Sequence, residues 1–261
     1  MKAPLTHRLR QFHSQLRAEN NGSQVVLLVP DNSLDRPRWR LPEPLDVRRG
    51  YRSFKVGLGK SEMTGHIIVV KPNVREQLLD TGLQVLHERG FNATSVQDIT
   101  EAAGVPKGSF YNHFESKEDL GAEVVLRYLE SSNKTQAVLR HPKLSPYARL
   151  RKYFEGLVQV AEKKEFCGGC LLGNFGAELS EQSEMIRARV SKGFSTWSAM
   201  IANVIAEAQA EGQISKDLPA STLAAFVLNG WEGALVRARV DKSKAPLEQF
   251  VKVTFAKTLA P

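Results

Sequence analysis

TSVQDITEAAGVPKGSFYNHFESK, residues 94–117, reads as two short helices joined by a tight turn and followed by the cap of a third. Ser95 is placed to cap the first helix, and Asp98 three residues on completes a capping box with a shorter acid. Val96, Ile99 and Ala103 share one helical face, and Gly104 stops the helix. Pro106, with a fixed φ and no N–H to lose, suits the first turn of the next helix. Phe110 and Phe114, four apart, point into one core, while Gly108, Ser109 and Asn112 fall on the opposite face. A short helix that buries two Phe and offers only small or hydrogen-bonding groups outward is built for close approach. A DNA major groove admits such a helix and presents donors and acceptors to it.

The longer string VQDITEAAGVPKGSFYNHFESKEDL resembles the DNA-binding helix-turn-helix of TetR-family transcriptional repressors. The Ala-Gly-Val turn, the run from Lys107 to Tyr111, His113-Phe114 and Lys117 stand in the family's order, and the strong likeness covers residues 73–125. Downstream, GCLLGNFGAELS and GWEGALVRARV are similar to the ligand-binding half of a subgroup that includes regulators of acrylate metabolism and of the N-ethylmaleimide-type electrophile response. The resemblance implies a homodimer formed by the last two long helices, a pseudo-palindromic operator, and a small-molecule or electrophile effector bound in the C-terminal half.

Working outward, residues 73–89 carry a helical stripe of Val74, Leu78, Leu79, Gly82, Val85 and Leu86, ended by Gly90. Ser116 and Asp119 make a second capping pair for a helix that runs to about residue 137 and connects head to body. Ser145-Pro146 starts another, residues 171–179 a short one, Ser183 a long one ending at Gly212, and residues 219–240 and 246–260 the last two. The fold class predicted is all-α, with a helix-turn-helix domain over 71–119 and an effector-binding and dimerisation bundle over 120–261.

Residues 1–70 differ. Short β-leaning segments at 25–29, 54–58 and 67–70 are bounded by Pro, Asn and Gly clusters. The favoured reading is a poorly ordered extension without its own core. Two others are a basic arm (Arg36, Arg38, Arg40, Arg48, Arg49, Arg52) that adds phosphate contacts, and a natural start at Met63.

The net charge of +8 does not by itself argue for nucleic acid. Residues 1–70 hold 12 Lys+Arg against 6 Asp+Glu, whereas residues 71–127 hold 6 against 9. DNA binding therefore rests on the placement of a few groups. At 42% hydrophobic the chain can bury a core, yet no apolar run approaches the roughly 18 residues of a membrane span. The start does not resemble a secretion signal, and two cysteines make no disulfide framework, so a reducing cytoplasm is predicted.

Lys107, Gly108, Ser109 and Asn112 are the candidates for the groove. Tyr111, His113 and Lys117 read as phosphate clamps, as do Thr94 and Ser95 at a helix start. The Cys167-Gly168-Gly169-Cys170 spacing admits a redox pair, but a thioredoxin-like site needs a βαβ context, and zinc needs about four ligands. No metal, cofactor or catalytic residue is predicted. Cys170, near a helix N-terminus that favours thiolate, is the sensor candidate, against the alternative of an inert core cysteine. Tyr153, Phe154, Phe194, Trp197, Phe226 and Trp231 are read as either cavity wall or plain core. Asn174, Asn229 and Glu232 are polar groups in apolar stretches, which need a partner. The small row Gly230, Ala234, Ala238 and the face Leu247, Phe250, Val251, Phe255 are the dimerisation candidates, against packing within the chain. The rival functions are a thiol oxidoreductase using the CGGC pair and an architectural DNA binder without sequence preference.

Overall fold

The computed structural model describes the backbone of residues 24–28, 51–58 and 61–70, and residues 73–261 apart from the side chains at 133 and 134. Two compact units result, one ending at Asn73 and the other covering Val74–Pro261. In the first, β1 (Gln24–Leu28), β2 (Tyr51–Leu58) and β3 (Ser61–Val70) form an antiparallel sheet in the order β1-β3-β2, with Val25 opposite Val69 and Phe54 opposite Gly65. The β-leaning segments lie in these strands as far as they are described, Val29 being outside the described residues; their mutual pairing is not legible in local propensity. The arginines at 36–49, read as a basic arm, lie outside the described residues.

The second unit is helical throughout its regular structure. α1 (Val74–Arg89) ends at Gly90, whose φ of +87° only glycine adopts readily. α2 (Val96–Ala102) begins with the complete capping box: Ser95 Oγ accepts from Asp98 N, and the Asp98 carboxylate accepts from Ser95 N. The chain turns at Gly104 (φ +65°) into α3 (Lys107–Phe110), a single turn. Ser116 caps α4 (Lys117–Ser131), which stops earlier than its sequence pattern predicts and continues as α5 (Asn133–Gln136) and a 3₁₀ turn, Ala137–Arg140. Then come α6 (Pro146–Lys163), α7 (Leu171–Leu179), α8 (Glu184–Ala210), α9 (Ala220–Asp241) and α10 (Ala245–Val253), the last relaxing into a π turn at Thr254–Thr258.

One buried cluster joins the head to the body: Leu78, Leu86, Ile99, Phe110 and Phe114 are continuous with Leu120 and Val124 of α4, Leu171 and Phe175 of α7, and Ile186 of α8. A second cluster, built on Phe154, Ile201, Ile205, Trp231 and Leu247, holds α6, α8, α9 and α10 together. The proposed dimer row belongs to it. A Cβ on Gly230 would lie 3.1 Å from Phe250, while Ala238, Leu247 and Phe255 are buried within the chain. The small residues at that spacing let α9 approach its own neighbour α10.

Phe91 shows how tightly the head is seated. Its ring stands edge-on to Phe175 at 5.7 Å, and the Lys117 ammonium lies 4.2 Å from its centroid. A Cβ on Gly121 of α4 would fall 2.8 Å from the Phe91 ring and 3.2 Å from Ile186. Gly121→Ala is therefore predicted to destabilise the helical unit by about 1–3 kcal/mol in urea unfolding, the usual cost of overpacking. An unchanged midpoint would mean that Phe91 is free to move.

Candidate nucleic-acid interface and effector cavity

Phe110 and Phe114, both buried, anchor α3 from beneath, with their centroids 5.6 Å apart. The opposite side is open. Lys107, Gly108, Tyr111, Asn112 and His113 are exposed, Tyr111 at 57%, and Ser109 is half-buried. Among the described residues, the side chains of Lys107, Tyr111, Asn112 and His113 make no hydrogen bond. A Cβ on Gly108 would meet nothing within 4 Å, so this glycine leaves a flat approach instead of filling a contact of its own.

Three of the phosphate candidates are engaged elsewhere. Thr94 is buried, and its Oγ1 donates to Gly90 O at 2.7 Å. Ser95 is exposed, but its N–H and hydroxyl are both spent in the capping box. Lys117 turns inward, where Nζ donates to Thr94 O at 2.8 Å and Phe91 O at 3.0 Å, and partial burial lowers its pKa. Its first task is to close the loop between α1 and α2, and spacing along the chain gives no sign of that.

The body holds a cavity of about 1190 Å³ between α7, α8 and α9, lined among others by Cys170, Asn174, Ser198, Asn229, Glu232 and Arg239. A smaller space of about 240 Å³ lies on the other side of Cys170, against His87, Tyr128, Trp197 and Trp231. Cys170, Asn174, Trp197 and Trp231 thus meet around these two spaces. Phe154 does not: it is fully buried between Trp231 at 5.6 Å and Phe250 at 5.4 Å, and is core.

The segment before α7 makes the link to the head. Residues 165, 166, 168 and 169 all have positive φ, folding the CGGC stretch into a tight loop. Asn174 Nδ2 donates to Gly168 O at 2.7 Å, and Arg239 Nη1 donates to Asn174 Oδ1 at 3.2 Å. His87, in the last turn of α1, bonds through Nε2 to Gly169 O at 2.8 Å and packs edge-on against Tyr128. Tyr128 Oη in turn reaches Cys170 Sγ at 3.8 Å. His87, Tyr128 and Arg239 were not candidates from the sequence; a histidine near a helix C-terminus and a tyrosine on an apolar stripe carry no local signal of a shared site.

Cys170 is the N-cap of α7, yet its thiol is pushed up to about 12. Burial is the largest cause and the neighbouring Glu232 charge adds to it, so desolvation outweighs the helix dipole that was expected to favour thiolate. Burial also raises Glu232 to about 7. Both cysteines are free, with Cys167 exposed and Cys170 buried. A buried, protonated Cys170 is the reverse of the low-pKa thiol that a C-x-x-C redox couple uses. Among the described residues no cluster of His, Cys, Asp and Glu is arranged to hold a metal, and no helix is long and apolar enough to cross a membrane.

A three-helix head with an open recognition helix, seated on a helical body with an open cavity, defines the class of helix-turn-helix regulators with a ligand-binding domain. Comparison with known proteins places the chain within that class. Residues 78–124 match the model for bacterial regulatory proteins of the tetR family, and residues 146–254 match the tetracyclin repressor-like C-terminal domain. The chain belongs to the TetR family. It is 39% identical to the HTH-type transcriptional repressor DhaR of Mycobacterium sp. (strain GP1) over 70% of this chain and 90% of that one. It is 34% identical to the transcriptional regulator AcuR of Cereibacter sphaeroides over 68% and 81%. Among solved structures, a regulatory protein TetR from Rhodobacter sphaeroides superposes with a TM-score of 0.67 at 33% identity, covering 72% of this chain and 99% of that one. The reduced form of E. coli NemR gives 0.66 at 26%, covering 72% and 97%.

The inward Lys117 predicts an unusual phenotype. Lys117→Ala should lower the melting temperature of the free protein, because two carbonyls lose their donor. A purely phosphate-binding lysine would leave the melting temperature alone and reduce the salt slope of operator binding by about 1.

Proposed function

We propose that this chain is a homodimeric transcriptional repressor of the cytoplasm that binds a pseudo-palindromic operator through two copies of α3 and is released by a small molecule or an electrophile at the Cys170 cavity. One observation carries the DNA half of this reading. Lys107, Gly108, Tyr111, Asn112 and His113 form an exposed face whose side chains make no hydrogen bond among the described residues, on a helix pinned from behind by Phe110 and Phe114. Lys107 and Asn112 have the chemistry for guanine and adenine edges, Ser109 and Gly108 allow close approach, and Tyr111 and His113 suit phosphates.

Dimerisation is supported by a second face of α9. Phe226, Val236 and Val240 are 64%, 64% and 73% exposed, Val253 of α10 is 51% exposed, and Gly233 has open space where its Cβ would be. An exposed apolar stripe on the last two helices, away from the row that packs inside the chain, suits a second copy. Two copies also double the few bases that a one-turn recognition helix can read.

Release follows as population shift. A ligand that moves the CGGC loop acts on Gly169 O, to which the last turn of α1 is bonded through His87. Its effect on DNA is limited to its differential affinity for the two arrangements, typically about 1–3 kcal/mol.

The test is a gel shift against DNA upstream of the protein's own gene. Lys107→Ala and Tyr111→Ala should each abolish the specific shift while circular dichroism and oligomeric state stay those of wild type. If both variants bind like wild type, the assignment of α3 is wrong.

A further inference from the structure

Gly173 sits one turn into α7, and a Cβ there would lie 2.5 Å from Glu232 Oε2 and 3.8 Å from Cys170 Cβ. The missing side chain is what leaves room for the α9 carboxyl against α7, beside Cys170. Each side chain is close enough to perturb the other's proton, and both line the 1190 Å³ cavity. Glu232 Oε1 is sealed from solvent and has no hydrogen-bond partner among the described residues. Nor does Glu232 form an ion pair there. Arg239, farther along α9, is held by Asn174 of α7. Facing the pair from α4 is Tyr128, whose hydroxyl points to the sulfur, and behind it His87 of α1 is held on Gly169 O. Lys242 and Lys164 complete the charged groups of the two spaces. A buried carboxyl with one free oxygen, set beside a buried thiol at a cavity wall, is an arrangement that stability alone does not favour.

We propose that Glu232 is the general base that takes the Cys170 proton when this thiol adds to an α,β-unsaturated carbonyl compound in the cavity. The inference rests on the reading of that cavity as the effector site. In the step, the S–H proton passes to the Glu232 carboxylate and sulfur bonds to the β-carbon. The alkene π bond breaks, and its electron pair moves to the carbonyl oxygen as an enolate. The enolate then takes the proton from Glu232 at the α-carbon. The net change is addition of S–H across C=C, with nothing oxidised or reduced. A thiol raised to about 12 is inert near neutral pH by itself, whereas a carboxyl raised to about 7 is divided there between base and acid forms. That places it near the optimum for general-base work. Glu232 thereby makes a buried cysteine selective, since only molecules that enter the cavity meet the pair.

The experiment measures the rate of Cys170 modification by N-ethylmaleimide in the full chain carrying Cys167→Ser, from pH 5.5 to 9, by peptide mass spectrometry. The expected rate rises through an inflection near pH 7, and Glu232→Gln slows modification at pH 7.5 by about 100-fold and removes the inflection. Glu232→Asp should recover part of the rate. A Glu232→Gln variant that is folded by circular dichroism and reacts as fast as its parent overturns the proposal. If that variant does not fold, the parent's profile decides: no inflection near 7 overturns the assignment. Operator binding is read on the same samples. A Cys170 adduct formed with the pH 7 inflection but without operator release supports the base and refutes the effector reading.

Discussion

The head has no core of its own. Its recognition helix is a single turn, and an isolated helix of that length has no stability in water. It persists because Phe110 and Phe114 are packed into a cluster that continues through α4 into α7 and α8. The seam carries polar contacts too: Asn92 N donates to Glu178 at 2.8 Å, and His87 is bonded to Gly169 O. Any rearrangement of α7 or of the loop before it is therefore felt by the elements that aim α3. Packed cores respond to added volume by shifting between discrete arrangements instead of deforming smoothly, and the proposed release uses this to carry a local event at Cys170 to α3.

The same burial sets the chemistry of the cavity. A helix N-terminus lowers a thiol pKa when the sulfur keeps contact with water or cations. At Cys170 neither holds, and desolvation wins. The unpaired carboxyl beside it is raised for the same reason. Two groups that would each be ordinary at the surface become a coupled acid and base inside, dependent on what else enters the space.

Most of the fold was legible because its signals are local. Ser95 with Asp98, Ser116 with Asp119, Ser145 before Pro146, and Gly90, Gly104 and Gly212 mark helix ends within a few residues, and α7 has the bounds read from its pattern. The open face of α3 followed from the spacing of its two Phe. What the sequence did not reveal depended on distant partners. Lys117 has a phosphate-binding residue's spacing, but its ammonium is taken by carbonyls 23 and 26 residues away. The Gly230 row has the spacing of a helix–helix contact, and such spacing does not say whose helix it meets. His87 and Tyr128 matter only through Gly169 and Cys170, 82 and 42 residues on.

If the Cys170 cavity and the recognition helix are linked through one core, the linkage is reciprocal. The direct test is the rate at which N-ethylmaleimide modifies Cys170 in the presence and absence of saturating operator DNA. Modification should be slower on the operator, because DNA holds the arrangement in which the CGGC loop is latched to His87. Equal rates with and without DNA would contradict it.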